Sequence, residues 1–285
     1  MDAEITAGEA AGAREFDLEF RLLIDAIYHV YHYDFRGYAP ASLRRRMKTA
    51  MGRFGCATLS QLQDRVVHEP QVFAALLDHL TVQVSEMFRD PPYFRALREQ
   101  VVPLLRTYPS LKVWIAGCSA GEEAYSMAIL LREEGLLART LIYATDINPH
   151  TLQRAAAGVY DVGSVAGFTL NHRASGATSS LSDYYTAAYG RAVLDKSLKD
   201  HIVFSDHSLA TDSVFAEVQL VSCRNVLIYF DRELQDRALG LFSESLCRQG
   251  FLGLGSKESL KFSSRAGAFD CFDKQERIYQ KRSAL

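Results

Sequence analysis

The sequence lacks the features that mark several classes of protein. Its five cysteines, among 285 residues, form no CxxC pair, and its histidines show no metal-like spacing. No run approaches the roughly 20 apolar residues of a membrane span, and the N-terminus carries no apolar signal core. We therefore expect reduced thiols, no metal site, no membrane insertion and a cytoplasmic protein.

Excess charge and internal repeats are absent too. Lysine and arginine total 32 against 34 acidic residues, so the formal net charge is −2. A balance this close gives no electrostatic case for nucleic-acid binding. The length allows one large domain or two modest ones.

Hydrophobic spacing divides the chain into parts. Residues 1–14 are acidic and rich in small side chains, which predicts a disordered tail. Throughout residues 15–85, apolar side chains recur at helical spacing, which predicts a helical domain. Over 86–285 strand and helix signals alternate, which predicts an α/β domain with a mostly parallel sheet covered on both faces. The alternation breaks at about 162–200, where we expect an insertion with short antiparallel strands. The expected strands of the main sheet lie near 112–116, 140–145, 201–205, 217–222, 250–255 and 277–281.

One strand-to-helix turn suggests a ligand. The apolar run VWIA meets the small residues Gly117 to Gly121, and the following helix begins with Glu122 and Glu123. A second strand ends at Asp146, which is where a nucleotide-binding crossover places the acid for ribose hydroxyls. Small residues also occur in such turns purely for packing. The two glutamates would repel a pyrophosphate, which favours a cofactor without phosphates, such as the cation S-adenosylmethionine.

A later segment places polar groups at the end of another strand. The strand ends at Cys223, so Arg224 and Asn225 follow at its carboxyl end, where open α/β sheets bind ligands. Tyr229 carries a hydroxyl that a buried site would have to satisfy, whereas Phe230 is expected to pack in the core.

Five motifs in order carry a family resemblance. They are WIAGCSAGEEAYSMAILL, YATDIN with LQRAAAGVY, FSDHSL, SCRNVLIYFD and GFLGLGSKESL, preceded by the segment TVQVSEMFRD. Together they resemble the chemoreceptor glutamate O-methyltransferases of the CheR family over residues 16 to 281. The resemblance implies a class I, Rossmann-like methyltransferase domain, an N-terminal all-helical domain and a small inserted β-subdomain.

The resemblance also implies functional residues. Arg89 and Tyr229 would line the active site, and S-adenosylmethionine, which leaves as S-adenosylhomocysteine, would be the cofactor. The residues implied to bind it are Gln83, Ser85, Arg89, Gly117, Glu123, Asp146, Ser208, Leu209, Arg224 and Asn225. Gln83, Ser85 and Ser208 replace the family's usual Asn, Thr and Asn; these polar changes bear on affinity more than on binding itself.

A basic helix offers a docking surface. Its cations are Arg44, Arg45, Arg46, Lys48 and Arg53, with no acid among them. A solvated face is the plain interpretation. The family resemblance implies docking onto the acidic, helical methylation region of a chemoreceptor, and a response regulator or methylesterase of the same pathway is a further candidate partner.

The expected reaction is methyl transfer to receptor glutamates. Some family members bind a receptor's C-terminal pentapeptide through a glycine-rich loop of the insertion. The corresponding turn here, YTAAYGRAV, is short and has only Gly190, so we expect recognition without the pentapeptide. Two alternatives stay open: a cofactor-binding scaffold without turnover, and a small-molecule methyltransferase on the same fold.

Overall fold

The computed structural model describes residues 2–261 and 263–283, which fall into two compact units. The helical unit comprises residues up to Val82 together with Tyr229–Leu234. The second unit, which we call the sheet unit, comprises Gln83–Ile228 and Gln235 onward. The division falls at Val82, whereas the sequence pattern placed it after Ser85.

Four helices build the helical unit. They are α1 (Asp2–Tyr31), α2 (Pro40–Phe54), α3 (Leu59–His68) and α4 (Pro70–Leu80). The apolar stripes predicted from helical spacing are buried, as Leu23 and Ile27 of α1 and Met47 of α2 show. Glu19 of α1 accepts hydrogen bonds from the backbone N–H groups of Leu59 and Ser60, which begin α3.

The predicted disordered tail is wrong for the part that the structure describes. Helix α1 begins at Asp2, so residues 2–14 are helical, and Met1 lies outside the described residues. Alanine and glutamate dominate this stretch, and both have high intrinsic helix propensity, which the compositional argument underweighted.

A seven-stranded sheet forms the centre of the sheet unit. Its spatial order is β6-β2-β1-β7-β8-β10-β9. The strands are β1 (Leu111–Ala116), β2 (Thr140–Asp146), β6 (Ile202–Asp206), β7 (Val218–Cys223), β8 (Leu246–Leu254), β9 (Phe269–Asp273) and β10 (Ile278–Lys281). The first five in space are parallel, and β10 runs antiparallel to both β8 and β9. This is the Rossmann-like methyltransferase sheet that was predicted.

Helices cover this sheet. They are α5 (Pro91–Ala96), α6 (Val102–Leu105), α7 (Glu122–Glu133), α8 (Pro149–Ala157), α10 (Lys196–Lys199) and α11 (Arg232–Ser245), with Leu97–Val101 a π-helical turn between α5 and α6. Helix α9 (Val162–Ala174) belongs to the insertion instead. Alternate side chains of β1 pack on opposite faces of the sheet. Val113 and Ile115 join the core cluster that includes α7, whereas the Trp114 ring lies 5.3 Å from Phe242 of α11.

The inserted subdomain is a small sheet with a helix. Strands β3 (Val159–Asp161), β4 (Tyr185–Ala188) and β5 (Arg191–Leu194) pair antiparallel in the order β3-β5-β4. The β4–β5 hairpin was predicted. Strand β3 and helix α9 were not, because β3 has three residues and α9 is rich in glycine, serine and threonine.

Candidate functional site

The candidate site lies at the carboxyl edge of the parallel strands. Strands β2 and β6 lie on one side of β1, and β7 and β8 lie on the other. The strand order therefore reverses between β1 and β7, which is where open α/β sheets bind ligands. Asp146 ends β2 at this edge, and the predicted residues after β1, β6 and β7 follow strand ends there.

The turn after β1 is held by backbone contacts. The N–H groups of Gly117 and Cys118 each donate to the carbonyl of Thr145 at 2.8 Å. Gly117 has φ of +73°, and a Cβ there would lie 2.4 Å from Cγ2 of Val226. Packing therefore requires this glycine whatever else it does, and its cofactor contact stays a prediction.

Asp146 closes this turn from the end of β2. Its Oδ2 accepts the N–H of Ser119 at 2.9 Å, and its Oδ1 accepts that of Asn148 at 3.1 Å. Burial raises the pKa of Asp146, and the backbone donors offset part of that rise. A carboxylate has about four acceptor sites, so Asp146 keeps capacity for the ribose hydroxyls predicted for it.

The two glutamates of α7 have different surroundings. Glu123 accepts from Ser222 Oγ at 2.6 Å and pairs with Nη1 of Arg224 at 3.2 Å. Glu122 is buried, and its Oε2 has no hydrogen bond within the described residues. Burial raises the pKa of Glu122 to about 7, although a backbone hydrogen bond and then the charge of Arg154 lower it in part. Both acids were expected to repel a pyrophosphate, but only Glu123 was predicted to bind the cofactor.

Arg224 is a buried bridge. Its Nη2 donates to Asp90 Oδ2 at 2.7 Å and to the carbonyl of Arg89 at 3.0 Å, while its Nη1 meets Glu123. Its guanidinium carbon lies 4.2 Å from the centroid of the Tyr93 ring. Arg224 therefore ties the Arg89 segment to the end of β7, and its predicted contact with the cofactor remains a prediction.

Glu258 lies beside the candidate site and was not predicted from the sequence. Its Oε2 accepts the N–H of Gly255 at 2.7 Å and of Asn225 at 3.0 Å, and its Oε1 accepts that of Ile228 at 3.3 Å. Asn225 has φ of +60°, a left-handed conformation that side chains rarely adopt. One buried carboxylate thus joins the loops after β7 and β8. The motif GSKES contains Glu258, but the contact spans 33 residues and has no local signature.

The remaining predicted cofactor residues lie on two loops. Ser208 follows β6 and donates its N–H to Asp212 Oδ2 at 2.9 Å, and Leu209 beside it is buried. Gln83 accepts from Nη1 of Arg154 at 2.8 Å. Ser85 and Arg89 are half-buried on the same segment as Gln83.

Tyr229 belongs to the helical unit. Its carbonyl accepts the N–H of Ala39 at 2.7 Å, and the guanidinium carbon of Arg46 lies 5.4 Å from the centroid of its ring. Arg46 also donates to the carbonyl of Leu80 at 2.7 Å. Burial lowers the pKa of Arg46. Of the predicted docking cations, this one is committed to contacts inside its own unit.

The other docking residues divide by exposure. Arg45, Lys48 and Arg53 are exposed, and Lys48 lies 4.8 Å from the centroid of the Phe16 ring. Arg44 pairs with Asp17 of α1 at 2.9 Å, so the acid missing from α2 is supplied by a neighbouring helix. Three cations of the predicted surface are therefore presented to solvent.

The sheet-unit residues fit a cationic, hydroxyl-bearing cofactor. Glu122, Glu123 and Asp146 place three carboxyl groups around the turn after β1, and Ser119 Oγ and Glu122 Oε2 are buried polar atoms without hydrogen bonds in the described chain. A sulfonium cation and ribose hydroxyls match this set. Among the described residues, no group of three or more His, Cys, Asp or Glu could hold a metal ion, and no helix is long and apolar enough to cross a membrane.

Two domain families match this chain. Residues 18–81 match the CheR methyltransferase, all-alpha domain, and residues 83–278 match the CheR methyltransferase, SAM binding domain. A Pseudomonas putida protein named "Putative methyltransferase Cher3" is 62% identical over 268 residues, which is 94% of this chain and 98% of that protein.

More distant relatives have chemotaxis names. The chemotaxis protein methyltransferase of Listeria monocytogenes is 30% identical over 225 residues, which is 78% of this chain and 83% of that protein. That of Vibrio parahaemolyticus is 30% identical over 228 residues, covering 76% and 80%.

Proposed function

Because this chain belongs to the CheR methyltransferase family and has S-adenosylmethionine as its cofactor, we propose that it methylates glutamate side chains of chemoreceptors. The products are glutamyl methyl esters and S-adenosylhomocysteine. The observation that carries the proposal is the match of both CheR domains, in order, over residues 18–81 and 83–278.

Cofactor binding is assigned to the carboxyl edge of the sheet. Asp146 would hold the ribose hydroxyls, Glu123 the methionine or ribose end, and Ser208 with Leu209 would flank the adenine. Gly117, Arg224 and Asn225 complete the surroundings beside the turn and β7. Gln83, Ser85 and Arg89 would reach the cofactor from the segment that precedes α5. The geometry supports this assignment because these groups lie at or beside the carboxyl edge.

The transfer needs positioning more than proton chemistry. When bound, the cofactor would supply a methyl group on a sulfonium, which is electrophilic enough for a carboxylate oxygen to accept it. A glutamate is ionised at neutral pH, so no base has to remove a proton. The chain therefore has to orient the acceptor carboxylate and exclude water.

Arg89 and Tyr229 are the residues proposed for that orientation. A guanidinium presents several donors to a carboxylate, and a phenol presents one. Arg89 is half-buried, and within the described part of the chain its guanidinium donates one long hydrogen bond, to the carbonyl of Val84 at 3.4 Å. A guanidinium held this loosely suits a positioning role, since a tight ion pair would stabilise the ground state.

Receptor recognition is assigned to α2. Arg45, Lys48 and Arg53 are exposed cations, which suits the acidic helical methylation region of a receptor in the cytoplasm. The β4–β5 turn consists of Tyr189 and Gly190, both with positive φ, as in a two-residue hairpin. A hairpin this tight lacks the long glycine-rich loop, which supports recognition independent of a receptor pentapeptide.

The test is transfer of a labelled methyl group to receptor cytoplasmic fragments. We expect incorporated label that is released by mild base, as a methyl ester requires. Fragments with glutamine at the acceptor positions are the matched control and should take up no label. Binding of S-adenosylhomocysteine without any transfer would contradict the proposal and favour a cofactor-binding scaffold. Transfer to a small molecule alone would favour a different acceptor class.

A further inference from the structure

Helix α9 of the inserted subdomain holds the segment that carries Arg89. Nδ2 of Asn171 donates to Oε2 of Glu86 and to the carbonyl of Met87, both at 3.2 Å. One residue later, the ring of His172 lies 4.7 Å from the ring of Phe88. All of these residues belong to the sheet unit. Two consecutive side chains of α9 therefore contact three consecutive residues just before Arg89.

His172 is itself anchored to α7. Its Nε2 lies 3.1 Å from Oε1 of Glu133, and both side chains are almost completely buried. Glu133 also accepts from Arg98 and Ser179. Burial alone would raise the pKa of Glu133, but the hydrogen bonds from His172 and Ser179 and the charge of Arg98 lower it to about 2. This buried ionic cluster gives α9 a rigid attachment to α7.

The segment needs such support because its backbone is unfavourable. Phe88 and Asp90 have φ of +54° and +57°, in the left-handed region. Non-glycine residues there cost on the order of 1 kcal/mol or more each, and they persist when surrounding contacts impose the conformation. The N–H of Phe88 donates to Oγ of Ser126 at 2.8 Å, which is one such contact. Asn171 and His172 supply the others on the side of the insertion.

We propose that Asn171 and His172 are positioning residues, through which the inserted subdomain sets the conformation of the segment from Gln83 to Arg89. The inference rests on the proposed function for the role of Arg89 in transfer. The predicted effect on cofactor affinity requires only that the chain binds S-adenosylmethionine. Loss of the α9 contacts lets the segment relax, which misplaces Gln83, Ser85 and Arg89 without removing any of them.

The test compares three variants of α9 in the full chain. Asn171→Ala removes both hydrogen bonds, and Asn171→Asp keeps the size but loses the donor and faces Glu86 with a like charge. Leu170→Ala is the control, since Leu170 precedes Asn171 and is 65% exposed. The measurements are the Kd for S-adenosylhomocysteine, hydrogen exchange of the 83–89 amides, and kcat and KM for receptor methylation.

We expect both Asn171 variants to weaken S-adenosylhomocysteine binding by about tenfold, the equivalent of two net hydrogen bonds. Exchange should quicken in residues 83–89, kcat should fall, and the variants should stay folded. Leu170→Ala should match the unsubstituted chain. Unchanged affinity and exchange in both Asn171 variants would overturn the inference. If the unsubstituted chain binds S-adenosylhomocysteine but methylates no receptor, the proposed function fails. The Kd and hydrogen-exchange measurements on the Asn171 variants would still decide the role of α9.

Discussion

Glu122 shows how much a single side chain can matter at this site. It is a buried acid at the start of α7 whose Oε2 has no hydrogen bond in the described chain. Its pKa is raised by burial to about 7, from an ordinary value of 4.5. At a pH between these two pKa values, the folded chain binds more protons at Glu122 than the unfolded chain does. Its contribution to stability is therefore present at low pH and is lost as pH rises through the folded pKa.

The variant Glu122→Gln should reveal this dependence. Glutamine stays neutral, so its stability relative to glutamate should improve between pH 5 and pH 8 by on the order of 3 kcal/mol. The measurement is urea unfolding at both pH values, with the exposed Glu244→Gln as the control. An equal difference at pH 5 and pH 8 would show that Glu122 ionises normally in the folded chain.

Glu258 holds backbone N–H groups of two loops, so its replacement should affect cofactor binding. A carboxylate only accepts, and Glu258 faces the N–H groups of Gly255, Asn225 and Ile228. Glu258→Gln would turn one acceptor into a donor against these groups, so the loop of Asn225 should loosen. We expect the Kd for S-adenosylhomocysteine to rise about tenfold. Isothermal titration calorimetry measures this Kd, and Glu244→Gln should leave it unchanged. An unchanged Kd for Glu258→Gln would show that this carboxylate does not support cofactor binding.

The sequence could place candidate site residues at the carboxyl edge of the sheet where a local pattern marks them. Asp146 was placed there because it ends an apolar strand, and Arg224 because it follows one; their cofactor roles stay predictions. Glu258 was not assigned, because its partners come from another loop and only the folded chain brings them together. The engagement of Arg46 with Tyr229 was missed for the same reason.

At the scale of elements, predictability followed the strength of the apolar pattern. Strands β1 and β7 are nearly continuous apolar runs and were predicted within a residue or two of their ends. Strand β9, with the sequence FDCFD, and the three-residue β3 give little signal. Helix α9 buries only Val165, Phe168 and His172, so its helical spacing is sparse. Tertiary contacts rather than propensity determine such elements.

Helix α2 supports a prediction about partner binding. Arg45→Glu combined with Lys48→Glu reverses two exposed charges and should weaken receptor methylation steeply at low salt, with the effect shrinking as salt rises. KM for a receptor fragment, measured over a range of ionic strength, checks this. Lys112→Glu, an exposed cation of the sheet unit, is the matched control. Identical salt dependence in all three proteins would favour a solvated face on α2.

At the scale of the whole molecule, the chain leaves the sheet unit and returns to it. Residues 83–278 match the SAM binding domain, yet Tyr229–Leu234 group with the helical unit. Phe230 forms an antiparallel bridge with Tyr38, and Asp231 donates its N–H to the carbonyl of Gly37 at 2.8 Å. The position of Tyr229 therefore depends on the helical unit. The sequence pattern placed Tyr229–Leu234 in the methyltransferase domain, because the spacing of apolar residues does not show which unit a segment packs against.

Mass spectrometry of a receptor fragment after incubation with the chain decides whether receptor glutamates are esterified. We predict methyl esters on glutamates of the helical methylation region, and we expect Arg89→Ala, which loses the orienting cation, to form them at least about 100-fold more slowly. Methyl groups at no receptor glutamate, under conditions where the unsubstituted chain binds S-adenosylhomocysteine, would contradict this prediction.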